Sequence, residues 1–482
     1  MRFLDQFYIA LIMRRRLVGC IAGHSIYCVA AVKYFPLGSQ AGMSVEAKRA
    51  EERYIKYLLD NDVMRDCFYS HSYALTRTLQ TNMGGCPLAS GGASEDSHYM
   101  FTWNRRLLEG GGFLSSLKDK RWATHLVHGY FEQRSIVVLT GWLILTLIAR
   151  RSWIYAGTRY LRRGVTFDGH CANEVETEQI LSGDGLGDHV MHTSYVQLRG
   201  SVPLFWSQVT DVMVPKPDIV LYTFDPLYEA TKAHMSHLVR RYAEPIFVLD
   251  LVKQNEKMPR ESKLGRGLQA AINHINDELD NRRAEAPTSS SAAGGGGGGR
   301  GGGGVGEAAQ QLGGGGRIRY IPFDFSRAQK LKLPVVETLA ARAADILAGT
   351  GFFCSQSPLP HSSGQGGVFG IGGWQHESGF EQRGAARTNC VDCLDRTNVG
   401  QLIIARVALE AQLQAHSVPL GQLDDAADSA MSAMGALTQM YADLGDRVAQ
   451  QYAGTDAHSK GGEMVGARLK DKLKSMLVTV SR

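Results

Sequence analysis

No apolar stretch in this chain of 482 residues reaches the roughly 18–20 uninterrupted residues of a membrane-spanning helix. The best candidate, 136–149, is too short, and Thr140 and Gly141 divide it as a hairpin turn divides two buried strands. The start of the chain makes a poor signal peptide. Asp5 interrupts it, and the apolar run from Phe7 to Met13 ends on Arg14, Arg15 and Arg16 without a small-residue cleavage site. Concentrated charge is missing too. A net +5, from 52 basic and 47 acidic residues, permits attraction to an anionic membrane surface but lacks the basic stripe of a nucleic-acid binder. Of eight cysteines, Cys20, Cys28, Cys67, Cys86, Cys171 and Cys354 stand singly. That scatter argues against a disulfide framework and for a reducing compartment. The glycine-rich stretch within 284–316 lacks the Gly-x4-Gly-Lys-Ser/Thr pattern of a nucleotide-phosphate loop. It cannot bury enough apolar surface to offset its ordering entropy, and is expected to be a disordered surface insertion.

What the chain does have is an ordinary globular composition, 44% hydrophobic and 21% charged, long enough for two or three domains. It also has one stretch on which the rest is organised: RTNCVDCLDRTN at 387–398. Within it Cys390 and Arg396 stand as Cys-x5-Arg, followed by Thr397. A cysteine-dependent phosphatase needs this spacing, because a short loop must curl around a phosphate with the thiolate beneath phosphorus and the arginine closing on its oxygens. Leu402, Ile403, Val407, Leu409 and Leu413 follow at helical spacing, which predicts a helix from about Thr397 or Asn398 with its positive end towards the anion. A free thiol titrates at about 8.5, and a helix N-terminus with a neighbouring arginine lowers that value.

Cys390 and Cys393 also form a Cys-x-x-Cys, open to reading as half a zinc site or a redox pair. Zinc needs two further ligands at suitable spacing, and no second Cys-x-x-Cys exists; no metal site is expected. Cys393 could trap an oxidised Cys390 as a disulfide. On the phosphatase reading, Cys390 attacks phosphorus and Arg396 holds the equatorial oxygens, while backbone N–H groups of residues 391–395 complete the cradle. The leaving alkoxide needs a general acid. Asp392 and Asp395 both qualify, their carboxyls pushed up by like-charge repulsion from the phosphate, and closeness to the nucleophile favours Asp392. Thr397 is placed to hydrogen-bond the thiolate or position water.

Along the chain, FYIALI, LVGCIAG and IYCVAAV read as short strands separated by basic or polar breaks. A helix follows at 47–59, with 64–78 as its continuation. Strands and turns then carry Arg150, Arg151, Arg159, Arg162, Arg163 and Arg199. Each arginine taken alone reads as a solvated strand edge, and the run Glu174, Glu176, Glu178 as partners fixing the sheet edge. PIFVLDLV at 245–252 reads as a buried strand between helices at 234–242 and 264–279, and IRYIPFDF and a helix at 335–347 continue a parallel α/β pattern. A Gly-rich stretch at 361–373 borders the loop. Asp443 and Asp446, beside Gly445, are read either as local partners of Arg447 or as groups near the phosphate. The basic end at 468–474 reads as a solvated helix face or a lipid contact.

The twelve-residue string resembles the signature of the Sac-type polyphosphoinositide phosphatases. The resemblance extends from about Phe7 to Ala457 through GHSIY at 23–27, FTWN at 101–104, ANEVETEQI at 172–180, RGSVPLFWSQ at 199–208 and QYAGT at 451–455. It implies an α/β fold: a β-rich N-terminal Sac subdomain at 1–115, then a larger catalytic domain at 116–482 with a mixed β-sheet flanked by helices and the Cys-x5-Arg phosphate loop. The family pattern carries further strands upstream of such a start, so the first subdomain reads as short of them. Implied catalytic residues are Cys390, Arg396, Asp392, Asp395 and Thr397. Implied substrate contacts are Arg387, Asn389, Val391, Cys393 and Leu394, with Arg159. The implied substrate is a phosphoinositide lipid, closest to the branch removing the 5-phosphate of phosphatidylinositol 3,5-bisphosphate. That branch implies peripheral attachment to endosomal or vacuolar membranes, on a scaffold protein shared with the opposing lipid kinase. No cofactor is required, although magnesium could stimulate. The alternatives are a 4- or 3-monophosphate phosphatase of broad specificity and an inactive Sac-fold scaffold subunit.

Overall fold

The computed structural model describes residues 7–37, 43–60, 64–84, 99–109, 117, 122–138, 141–158, 161–184, 190–208, 218–285, 318–331, 333–355, 374–376, 379–391, 394–418 and 433–453. The glycine-rich stretch from 286, the stretch 361–373, the basic end 468–474 and three expected site residues (Arg159, Asp392 and Cys393) lie outside them.

Thirteen strands form one mixed sheet. Its antiparallel part runs in chain order through β1 (Phe7–Ile21), β2 (His24–Leu37), β3 (Cys67–Tyr69), β4 (Val127–Val138), β5 (Gly141–Arg151), β6 (Val175–Asp184) and β7 (Val190–Gly200). A two-stranded ribbon, β8 (Trp206–Gln208) and β9 (Ile219–Leu221), stands apart from it. The parallel part is β10 (Ile246–Asp250), β11 (Ile318–Pro322) and β15 (Ala385–Asn389), where β15 lies between β10 and β7 and is parallel to both. Short strands β12 (Phe353–Cys354), β13 (Trp374–His376) and β14 (Gly379–Glu381) extend the sheet beyond the first half of β7. The helices are α1 (Val45–Asp60), α2 (Leu79–Asn82), α3 (Arg105–Glu109), α4 (Glu229–Tyr242), α5 (Glu261–Glu285), α6 (Phe325–Lys330), α7 (Val335–Thr350), α8 (Asp395–Ala415) and α9 (Ala433–Ala453).

Burial on both faces explains the apolar run 246–249 of β10. Phe247 and Leu249 pack with α7 and α8, while Ile246 and Val248 pack with α4 and α5 on the other side. A further core lies between β5 and the pair α8 and α9, built by Leu143, Leu145 and Leu147 against Leu409, Leu413, Leu437 and Tyr441. Gly384 turns the chain into β15 at φ +87°, where a Cβ would stand 2.1 Å from the Pro245 carbonyl oxygen.

Several expectations change. The two N-terminal runs are one strand, β1, that passes through Arg14–Arg16 with its register shifting there, because the ribbon leaves those side chains exposed. The stretch 64–78 does not continue α1. Cys67, Phe68 and Tyr69 are all buried, and the strand they form bridges β2 and β4. The acidic run does not mark a sheet edge, since β6 lies inside the sheet between β5 and β7. Nor are its arginine partners solvated. Arg150 is fully buried, with NH1 donating to Glu176 at 2.7 Å and NH2 to Glu178 at 2.5 Å. Its Nε donates to the Leu75 carbonyl, and Glu178 accepts from the Leu79 N–H, so the cluster fastens the 75–79 segment to the central sheet. Arg241 of α4 takes Glu174 at 3.0 Å.

Candidate active site

The loop begins where three parallel strands end. Gly200, Asp250 and Asn389 close β7, β10 and β15 side by side, and Cys390 follows immediately, buried. Ligands of open α/β sheets bind outside the carboxyl ends of parallel strands, and this is that end. Helix α8 starts at Asp395, two or three positions before the sequence expectation, so Arg396 and Thr397 sit in its first turn. Leu394 is the N-cap residue, and its carbonyl accepts from the Asn398 N–H at 2.9 Å.

Beneath the loop runs a buried polar chain. Asn389 donates its side-chain amide to Asp250 at 2.5 Å and accepts from Arg387 at 3.2 Å. Arg387 also donates to the Ser201 carbonyl and, through Nε, to His234 Nε2 at 2.8 Å, whose Nδ1–H donates to the Gly169 carbonyl. Burial pushes His234 down to about 3, so its ring stays neutral and can accept that bond. Burial pushes the Asp250 carboxyl up to about 6, against hydrogen bonds from Tyr320 and the Val252 N–H that favour its charged form. Arg387 and Asn389 therefore build the floor of the loop.

Three arginines brace the loop's sides. Arg396 NH1 donates to Glu261 of α5 at 2.7 Å and to the Leu251 carbonyl at 3.1 Å. Arg163 donates to the Val391 carbonyl and stacks on Trp206. Arg199 of β7 donates to the Leu394 carbonyl at 3.1 Å and to Asn398 at 3.3 Å. Asn398 in turn donates to the Tyr441 carbonyl of α9, and a Cβ on Gly445 would stand 2.8 Å from its amide nitrogen. The glycine between the two aspartates thus lets α9 close on the start of α8. Asp443 meets Arg134 at 3.4 Å, and Arg447 reaches Asp66 at 3.8 Å.

The structure brings together Arg387, Asn389, Cys390, Val391, Leu394, Asp395, Arg396 and Thr397. Asp395 is exposed, while the Thr397 hydroxyl is buried without a hydrogen-bond partner among the described residues. Sequence reasoning missed Asp250, His234 and Glu261 as site residues. It noted Arg163 and Arg199 only within a series. Among the described residues no group of three or more His, Cys, Asp or Glu side chains could hold a metal ion, and no helix is long and apolar enough to cross a membrane.

Comparison with known proteins decides the family. The family model described as the SacI homology domain matches residues 1–330. The chain belongs to that family. Alignment to Sac relatives carries the match through the loop and to 95% of the chain. The chain is 34% identical over 477 residues to the phosphatidylinositol-3-phosphatase SAC1 of Arabidopsis thaliana, covering 95% of this chain and 51% of that protein. It is 34% identical over 465 residues to the polyphosphoinositide phosphatase of Schizosaccharomyces pombe, covering 94% and 48%. With the phosphatidylinositol-3-phosphatase SAC1-B of Danio rerio it shares 27% over 462 residues, covering 95% and 67%. The chain spans about half the length of the first two.

Proposed function

We propose that the chain is a phosphoinositide phosphatase hydrolysing a phosphate monoester of the inositol ring through a phosphocysteine intermediate. The observation that carries the reading is Cys390, buried at the carboxyl end of the parallel strands with Arg396 in the first turn of the next helix. Membership of the Sac family supports the substrate class, since the relatives are named for phosphoinositides.

The Cys390 thiolate attacks phosphorus, and the inositol oxygen leaves with a proton from Asp392 or Asp395. Water then attacks the phosphocysteine, giving it up as inorganic phosphate and regenerating the thiolate. Arg396 holds the equatorial oxygens as charge spreads over them. Leu251 and Glu261 fix its plane, and the Thr397 hydroxyl is a donor in reserve for the sulfur. Arg159 and Cys393 are further substrate contacts on this reading. This chemistry requires no cofactor, and any stimulation by magnesium would come from helping to present the charged headgroup.

The finer reading is removal of the 5-phosphate of phosphatidylinositol 3,5-bisphosphate, at the cytoplasmic face of endosomal or vacuolar membranes, on a scaffold shared with the opposing kinase. It rests on the resemblance of ANEVETEQI, RGSVPLFWSQ and CVDCLDRTN to that branch. A second reading, removal of a 3-phosphate, is favoured by the names of the Arabidopsis and Danio relatives. Phosphate release from a panel of short-chain phosphoinositide isomers separates them. Selective loss of the 5-phosphate from the 3,5-bisphosphate supports the first reading and preference for the 3-monophosphate the second. Folded protein without turnover on any isomer moves the function to a scaffold.

A further inference from the structure

One strongly charged cleft is unused by this chemistry. It has a volume of about 700 Å³ and lies between the segment after β10 and helix α6, lined by Lys253, Lys257, Arg327 and Lys330 together with Glu256 and Asp324. Both acids already serve the backbone. Glu256 accepts from the N–H groups of Arg260 and Ser262, and Asp324 from those of Gln254 and Arg327. Lys257, Arg327 and Lys330 form no ion pair among the described residues. The cleft therefore keeps a net positive charge, and the segment's fold is held by the same carboxylates that would otherwise fill it.

Its position relative to the loop is set by one side chain. Glu261 holds Arg396 on Oε2 at 2.7 Å and faces Lys253 with Oε1 at 3.8 Å. The loop arginine and the first cleft lysine thus stand on the two oxygens of a single carboxylate, which places the cleft beside the loop. At the lip of the cleft Met258 is 79% exposed.

We propose that this cleft receives a second phosphate of the headgroup whose first phosphate lies in the Cys390 loop, so that Lys257, Arg327 and Lys330 select bisphosphorylated over monophosphorylated substrates. The inference rests on the phosphoinositide phosphatase reading above.

Two measurements on the purified full chain test it. The first compares steady-state turnover of short-chain, monomeric mono- and bisphosphorylated phosphoinositides by the wild type, Lys257→Ala/Arg327→Ala and Lys330→Gln. KM for the bisphosphate rises about tenfold in the double variant, as the loss of charge-assisted phosphate contacts requires. Its kcat and all constants for the monophosphate stay unchanged, which also shows the variant folded. The second measures binding of soluble inositol mono- and bisphosphate headgroups to Cys390→Ser, with and without the same substitutions. A preference for the bisphosphate, lost with the cleft residues, is expected. An equal rise in KM for both substrates would mean only general attraction and overturns the proposal. So does a defect confined to anionic vesicles, which would make the cleft a membrane contact. Absent turnover with the headgroup preference intact would sink the phosphatase reading and leave the cleft standing.

Discussion

Arg396, in the first turn of α8, is held at 2.7 Å by Glu261, a carboxylate 135 positions earlier at the start of α5. The pair joins the two segments that follow adjacent parallel strands, β10 and β15, so the phosphate loop is closed by an acid from outside it. The same Glu261 accepts from the Lys253 N–H at 3.2 Å, which ties the position of the arginine to the segment after β10.

Glu261 is therefore expected to act as a positioning residue. Glu261→Ala should lower kcat by about a hundredfold, the scale of a 1 Å misplacement of a group that aligns reactants. Glu261→Gln, which keeps an oxygen acceptor for Arg396 NH1, should recover part of that loss. Equal kcat in Glu261→Ala and wild type would show that Arg396 orients without it.

Arg150 with Glu176 and Glu178 makes a different prediction, on stability. Arg150→Met leaves two carboxylates buried and unpaired and should cost about 3–5 kcal/mol. The triple variant Arg150→Met/Glu176→Gln/Glu178→Gln should regain most of it. Urea midpoints of the three chains check this, and the 75–79 segment should be the first to gain proteolytic sensitivity because Arg150 holds the Leu75 carbonyl. Indistinguishable midpoints would contradict the assigned role.

Asp250 gives a pH dependence. Its carboxyl is raised by burial from an ordinary 3.8 to about 6 in the folded chain. The folded state thus holds this proton more tightly than the unfolded state. Stability from it is fully present below about 3.8, declines as pH rises, and is lost above about 6. At about 1.4 kcal/mol per pH unit, the loss amounts to about 3 kcal/mol. Asp250→Asn should remove that decline, so the difference in unfolding free energy between variant and wild type should change across pH 4–6 and stay flat above 7. A difference that is flat throughout would show that Asp250 titrates normally.

The α/β class, the strand read at 245–252 and found at 246–250, and the helices read at 234–242, 264–279 and 335–347 and found at 229–242, 261–285 and 335–350 were legible because each leaves a local signal: a two-sided apolar run or a 3.6-residue period. What supports the loop was not. Asp250 reads as an interruption of an apolar strand and Glu261 as the acidic first turn of a helix. Only the parallel pairing of β10 with β15 brings them under Asn389 and against Arg396. The arginine series misled for a similar reason. Arg150 and Glu176 face each other across β5 and β6, and register rather than composition buries them together.

The central claim is that Cys390 carries the phosphoryl group. The most direct test is rapid acid quench of full-length protein with a short-chain phosphoinositide labelled in its ring phosphates, followed by mass analysis of the peptide containing Cys390. A phosphorylated peptide modified at Cys390 is expected, absent from Cys390→Ser, which should turn over no substrate while still binding the headgroup. Turnover retained by Cys390→Ser, or phosphate trapped on another residue, would contradict it.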